Sequence, residues 1–84
     1  MSSQEIKDGL RTFICRELLK EPGYPLGDDE PLVTGGLIDS FSLAHVGVFI
    51  ETAFGVYVPD VEFTVQDMDT IEQMAAQVLR YADR

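Results

Sequence analysis

No lysine or arginine stands between positions 21 and 79 of this 84-residue chain, a stretch that holds eleven acids. The six bases, Lys7, Arg11, Arg16, Lys20, Arg80 and Arg84, lie at the two ends, and the formal net charge is −9. Phosphate recognition runs on Lys and Arg, so this balance argues against nucleic acid as a direct partner, and also against docking on anionic lipid. Such a field either steers a basic protein partner or serves solubility with no partner at all. The one cysteine, Cys15, allows no internal disulfide and suits a reducing compartment. One histidine and one cysteine cannot build a structural zinc site alone. No apolar run reaches the ~18 residues of a membrane span, so no membrane insertion is expected. Met1 to Glu5 lack the basic-then-apolar order of a secretory signal. The expectation is a single domain over residues 1–84, monomeric and cytoplasmic. A chain this short buries only roughly 60 to 65 % of its unfolded surface, so its core is small.

What the chain does contain is helical periodicity. Ile6, Leu10, Phe13, Ile14 and Leu18 form one apolar stripe of a helix over about 3–20, with Ser2 and Glu5 as a capping box and Pro22-Gly23 as its stop. Residues 21–38 carry too many prolines and glycines for a helix. A loop of that length in a small domain is usually functional or disordered. Tyr24, Leu26, Leu32, Val33 and Leu37 are its apolar anchors over the helices. Asp39 caps a second helix over about 40–54, with Leu43, Val46, Phe49, Ile50, Ala53 and Phe54 facing inward and Gly55 as the stop. A second stripe, Phe41, His45, Val48 and Thr52, is also partly apolar, so this helix is either buried all round or keeps a face for a partner. Gly47 in its middle serves either close packing or space for a cargo. Val56 to Pro59 read as extended loop, since no other strand is available to pair with them. Thr64 with Asp67 caps a short helix over about 65–68, and Thr70 with Gln73 opens a last one over about 71–82. Its inward face is Ile71, Met74, Ala75, Val78 and Leu79. The sum is an all-α fold, an antiparallel four-helix bundle of three longer helices and one short one, with a long first loop.

Little of this can carry chemistry. No base, nucleophile and metal set can be assembled, so no catalytic or metal-ligating residue is assigned. Asp28-Asp29-Glu30 and the trio Asp67, Asp69 and Glu72 lack the alternating oxygen ligands and central glycine of a calcium loop, and read as solvated charge and helix caps. Cys15 falls about 140° from the centre of its helix's apolar stripe. What remains is Gly35-Gly36-Leu37-Ile38-Asp39-Ser40-Phe41, a flexible loop ending at a capping Asp and then a Ser in the first turn of a helix. A helix N-terminus tolerates a phosphate. Ser40 is therefore either a hydroxyl placed to carry a phosphodiester or simply an alternative N-cap beside Asp39.

Gly36-Leu37-Ile38-Asp39-Ser40-Phe41 resembles the attachment motif of the acyl and peptidyl carrier proteins. Phe54-Gly55-Val56-Tyr57-Val58-Pro59-Asp60 resembles that family's Phe-Gly-hydrophobic-x-hydrophobic-Pro-Asp segment, and Asp69-Thr70-Ile71 with Met74-Ala75 resembles the start of its last helix. The likeness spans essentially the whole chain. It implies a non-catalytic carrier in which Ser40 receives 4′-phosphopantetheine from coenzyme A, by the action of a Mg²⁺-dependent phosphopantetheinyl transferase. Asp39 would help hold metal and cofactor during transfer. The arm's thiol would then present acyl or aminoacyl cargo as a thioester to an acyltransferase, adenylating ligase or synthase of fatty acid, polyketide or nonribosomal peptide biosynthesis.

The sequence departs from fatty-acid carriers in two places. Only Glu51 is acidic between residues 41 and 54, where they have several acids. Leu37 stands where they often have glycine. The partner face becomes Phe41, Ser42, Ala44, His45 and Val48, more apolar and less salt-sensitive. Specialised metabolism is favoured over general fatty acid synthesis. The alternatives are a D-alanyl or other aminoacyl carrier loaded by an adenylating ligase, and a helical interaction domain that is never modified.

Overall fold

The computed structural model describes residues 2–82, and among these every regular element is helical and none is a strand. Helix α1, Ser3–Phe13, begins where its sequence demands. Ser2 Oγ accepts the Glu5 amide and Glu5 Oε1 accepts the Ser2 amide, both at 3.1 Å. Two otherwise orphaned donors are thus satisfied. Ile6 and Leu10 are fully buried on its inner face.

The regular helix does not run on to residue 20. Ile14–Leu18 winds as a π-helix, with the Leu19 amide reaching back to the Ile14 carbonyl at 2.8 Å. Lys20, at φ 59°, ends it in the left-handed region. Cys15 lies in the core and is only 2 % exposed, against the outward position that its helical angle predicts. The loop after the helix doubles back across this side, and the Tyr24 carbonyl accepts the Cys15 thiol at 3.6 Å.

The loop is tightly fastened. Leu26, Leu32 and Ile38 are buried anchors, and Tyr24, Val33 and Leu37 pack half-buried against the same cluster. Polar groups hold it as well. Arg11 Nε donates to the Leu26 carbonyl at 2.9 Å, and its guanidinium pairs with Asp28. Lys7 bridges Asp28 at 3.5 Å and Glu72 at 2.7 Å, and the Glu72 amide donates to the Asp28 carbonyl at 2.9 Å. Tyr24 donates its hydroxyl to Glu30 at 2.7 Å. Asp28 and Glu30 are therefore paired fasteners, not the freely solvated charge their clustering predicts.

Helix α2 spans Ser42–Phe54, starting two residues beyond the expected 40. The intervening turn closes instead by shorter-range bonds, from the Ser42 amide to the Asp39 carbonyl at 3.1 Å and from Leu43 to Ser40 at 3.3 Å. Gly55, at φ 68°, terminates the helix. Leu43, Val46 and Ile50 enter the core, with Phe49 and Phe54 half-buried beside them. Ala53 is exposed instead of inward, because it lies at the stripe's edge in the last turn, where nothing covers it. Phe49 stacks on Phe13 at 4.5 Å and meets Phe54 edge-on at 5.6 Å. Gly47 serves close packing: a Cβ there would stand 3.0 Å from the Phe63 ring.

Residues 56–59 are extended, with Val56 and Val58 buried and Tyr57 turned out. A short 3-10 turn, Asp60–Glu62, follows. Helix α3, Val65–Met68, is capped by Thr64, whose Oγ1 accepts the Asp67 amide at 3.2 Å. Helix α4, Ile71–Ala82, opens on the reciprocal pair Thr70 and Gln73. Ile71, Met74, Ala75 and Val78 are buried, with Leu79 half-buried at the edge of the face. α4 packs mainly on α1, and no helix among the described residues is long and apolar enough to cross a membrane.

Candidate functional site

The segment that leads to Ser40 is a compact turn. The Leu32 carbonyl accepts both the Leu37 amide at 2.9 Å and the Ile38 amide at 3.1 Å, and Val33 accepts Gly36 at 3.1 Å. Two glycines make this geometry possible. A Cβ on Gly35 would lie 2.3 Å from the Pro31 carbonyl oxygen, and Gly36 adopts φ 81°. Ile38, buried, plants the end of the turn in the core.

Asp39 and Ser40 follow at once, both exposed. Asp39 Oδ1 accepts the Ser42 amide at 2.9 Å and the Ser42 hydroxyl at 3.1 Å. Asp39 thus closes the turn ahead of α2 instead of capping it as its sequence position predicts, since the N-cap position is Phe41, with no side-chain cap bond; Ser42 rather than Ser40 is the hydroxyl Asp39 engages. The Ser40 hydroxyl and the amides of Ser40 and Phe41 bond to no other group among the described residues. Burial does not hold them from solvent. The site therefore presents an accessible hydroxyl, an adjacent carboxylate with one oxygen uncommitted, and two amides at the start of a helix. These groups fit a phosphodiester on Ser40.

Next to this point runs an apolar outer face. Phe41 is 85 % exposed and Val48 65 %, with Ala44 and His45 also exposed between them. Ser42 is half-buried beneath Asp39. Val61, 78 % exposed on the 3-10 turn, is a further large apolar side chain open to solvent. The helical spacing of Phe41, His45, Val48 and Thr52 identifies the α2 stripe from sequence. Val61 has no periodic neighbour that could have marked it.

Elsewhere the chemistry is sparse. Burial raises the Cys15 thiol pKa, the nearby Arg11 only partly opposing it, so the group stays a protonated core side chain. Among the described residues, no three His, Cys, Asp or Glu side chains converge as a metal ion would require. An open groove of about 540 Å³ lies between α1, the π turn and α2, floored by Phe13 and Phe49, and Ser40 does not line it.

From its place in the sequence, Asp69 reads as solvated charge or a helix cap. Instead it is half-buried and clamps the loop. Its carboxylate accepts the Val33 amide at 2.7 Å, the Thr34 amide at 3.0 Å and the Thr34 hydroxyl at 2.5 Å. Its own carbonyl accepts the Leu32 amide at 2.7 Å. Sequence reasoning missed this contact because Thr34 and Asp69 are 35 positions apart, and no local spacing joins them. The chain was compared with protein-family models and with curated proteins, and no match was found in either.

Proposed function

We propose that this chain is a carrier protein, an antiparallel four-helix bundle of the acyl-carrier type that acts as a cytoplasmic monomer and bears 4′-phosphopantetheine on Ser40. The observation that carries the proposal is the exposed, uncommitted Ser40 hydroxyl at the entry to α2, at the end of a turn that is fastened at every stage before it. The resemblance of three separated sequence blocks to carrier proteins supports the same assignment.

In attachment, the Ser40 Oγ–H bond is replaced by an Oγ–phosphorus bond, and coenzyme A loses adenosine 3′,5′-bisphosphate as leaving group. A transferase supplies the Mg²⁺ and the base. Asp39 contributes its uncommitted carboxylate oxygen next to the reacting hydroxyl, while its other oxygen keeps the turn closed through Ser42. When bound, the arm supplies a thiol that holds acyl or aminoacyl cargo as a thioester. The protein's own task is presentation. A tethered cargo has a high effective concentration at each partner site, and weak docking permits exchange between partners. The Phe41, Ala44, His45 and Val48 face is the docking surface, with the half-buried Ser42 at its edge. Its apolar character favours a dedicated carrier, charged by an acyltransferase or by an adenylating ligase with an aminoacyl group, over the general fatty-acid carrier.

The test is the intact mass of the protein before and after incubation with coenzyme A, Mg²⁺ and a broad-specificity phosphopantetheinyl transferase. One added phosphopantetheine is expected, and none on Ser40→Ala. No gain with several transferases would leave the exposed α2 face as the functional feature, and the chain would be an unmodified interaction domain.

A further inference from the structure

We infer that Asp69 is a positioning residue for Ser40, acting through the loop that it clamps. This inference rests on the carrier function proposed above. The connection is a continuous series of hydrogen bonds. Asp69 sits in the junction between α3 and α4, where the Gln73 side chain accepts its amide at 2.9 Å. The capping pair that starts α4 therefore also holds Asp69 in place. From there Asp69 takes three consecutive loop amides: Leu32 on its carbonyl, then Val33 and Thr34 on Oδ1, with the Thr34 hydroxyl on Oδ2. Those residues are the first limb of the turn whose second limb, Leu37 and Ile38, returns to the Leu32 carbonyl. Asp39 and Ser40 come next in the chain.

Removing the carboxylate frees Val33 and Thr34, while Leu32 keeps its bond to the Asp69 carbonyl and its buried side chain, so the turn loosens from Val33, whose carbonyl accepts the Gly36 amide. Ile38 stays anchored by burial and by a Leu32 carbonyl whose neighbours are no longer held. The entry to α2 then samples several conformations, and a reacting hydroxyl displaced by about 1 Å can lose up to a hundredfold in rate. A residue with no part in the chemistry, and 29 positions from the serine, would thereby set how well Ser40 is offered to the transferase.

The experiment compares wild type, Asp69→Ala, Asp69→Asn and a core control, Val78→Ala, under conditions where all are folded. Two readouts are taken: the transferase kcat/KM on Ser40, and amide exchange at Leu37, Ile38 and Ser42 relative to core amides of α4. Asp69→Ala is expected to lower kcat/KM by about tenfold or more and to raise exchange selectively at Leu37, Ile38 and Ser42. Asp69→Asn keeps an acceptor for the Val33 and Thr34 amides and should fall between. Val78→Ala should lower stability without either effect. Wild-type exchange at these amides in Asp69→Ala, or modification at the wild-type rate, overturns the inference. If wild type itself accepts no arm, the carrier function falls, and the exchange data alone decide whether Asp69 orders the Ser40 segment. Should Asp69→Ala fail to fold, Thr34→Val removes only the hydroxyl bond and is expected to give the same effects in milder form, and unchanged exchange and rate there would overturn the inference.

Discussion

Gly35 has no room for a side chain, since its Cβ would overlap the Pro31 carbonyl oxygen, a backbone atom that cannot rotate away. Gly35→Ala should therefore cost about 1–3 kcal/mol, read as a lower urea midpoint with an unchanged slope. Asp69 gives the loop a dependence on pH. Burial raises its pKa, but the Thr34 hydroxyl and then the Thr34, Val33 and Leu32 amides outweigh burial, and the net shift is downward. A carboxyl whose folded pKa is depressed contributes stability above its unfolded pKa, and that contribution is lost as pH falls through the folded value. Stability should thus decline as pH falls below about 5, through the ordinary carboxylate range and past it, with a shallower decline in Asp69→Asn. Urea melts across that range would check it, and equal slopes in both proteins would rule out this source.

At the scale of elements, the long loop is fastened rather than free. Arg11 is one of its fasteners, because one guanidinium engages the Leu26 carbonyl and Asp28 of the loop, and Asp8 of its own helix, from a half-buried position on α1. Arg11→Met keeps the apolar stem and removes every donor. It should destabilise by about 1–3 kcal/mol, since a charged bond is lost and the Leu26 carbonyl is stranded. Lys7→Met should cost less in 1 M salt than in dilute buffer, because solvent reaches its partners Asp28 and Glu72, so added salt screens both pairs. Denaturation at the two salt concentrations separates the cases. These ties also alter how the charge is distributed. Lys7 and Arg11 turn inward onto acids of the loop and of α4, and so neutralise part of the acid-only stretch.

For the whole molecule, the exposed side of α2 contributes little to folding. Phe41→Ala, His45→Ala and Val48→Ala should each change stability by no more than about 0.5 kcal/mol. The triple variant should nevertheless lose transferase modification and cargo loading. Unchanged modification and loading would remove the docking assignment. Phe41 and Val48 are apolar and Glu51 is the sole acid on α2, so partner affinity should fall only weakly with salt, and titrations over a range of ionic strength would test this.

The sequence alone determined where α1, α3 and α4 start, whereas α2 begins two residues later than its motif indicates. The three caps Ser2–Glu5, Thr64–Asp67 and Thr70–Gln73 each join groups three positions apart, and that spacing is visible in the chain. The inner stripes of α1, α2 and α4 follow from a 3.6-residue repeat, as does the outer stripe of α2. Tertiary structure alone decided the rest, because the partners are remote in sequence. Cys15 is buried by a returning loop, not by its helical angle. Gly47 owes its place to Phe63, and Gly35 to a carbonyl that only the folded turn brings near. Asp69 reads as one acid among many until folding sets Val33 and Thr34 against it. Local spacing specifies a helix and its cap, but a loop's shape is set by whichever distant groups satisfy its amides.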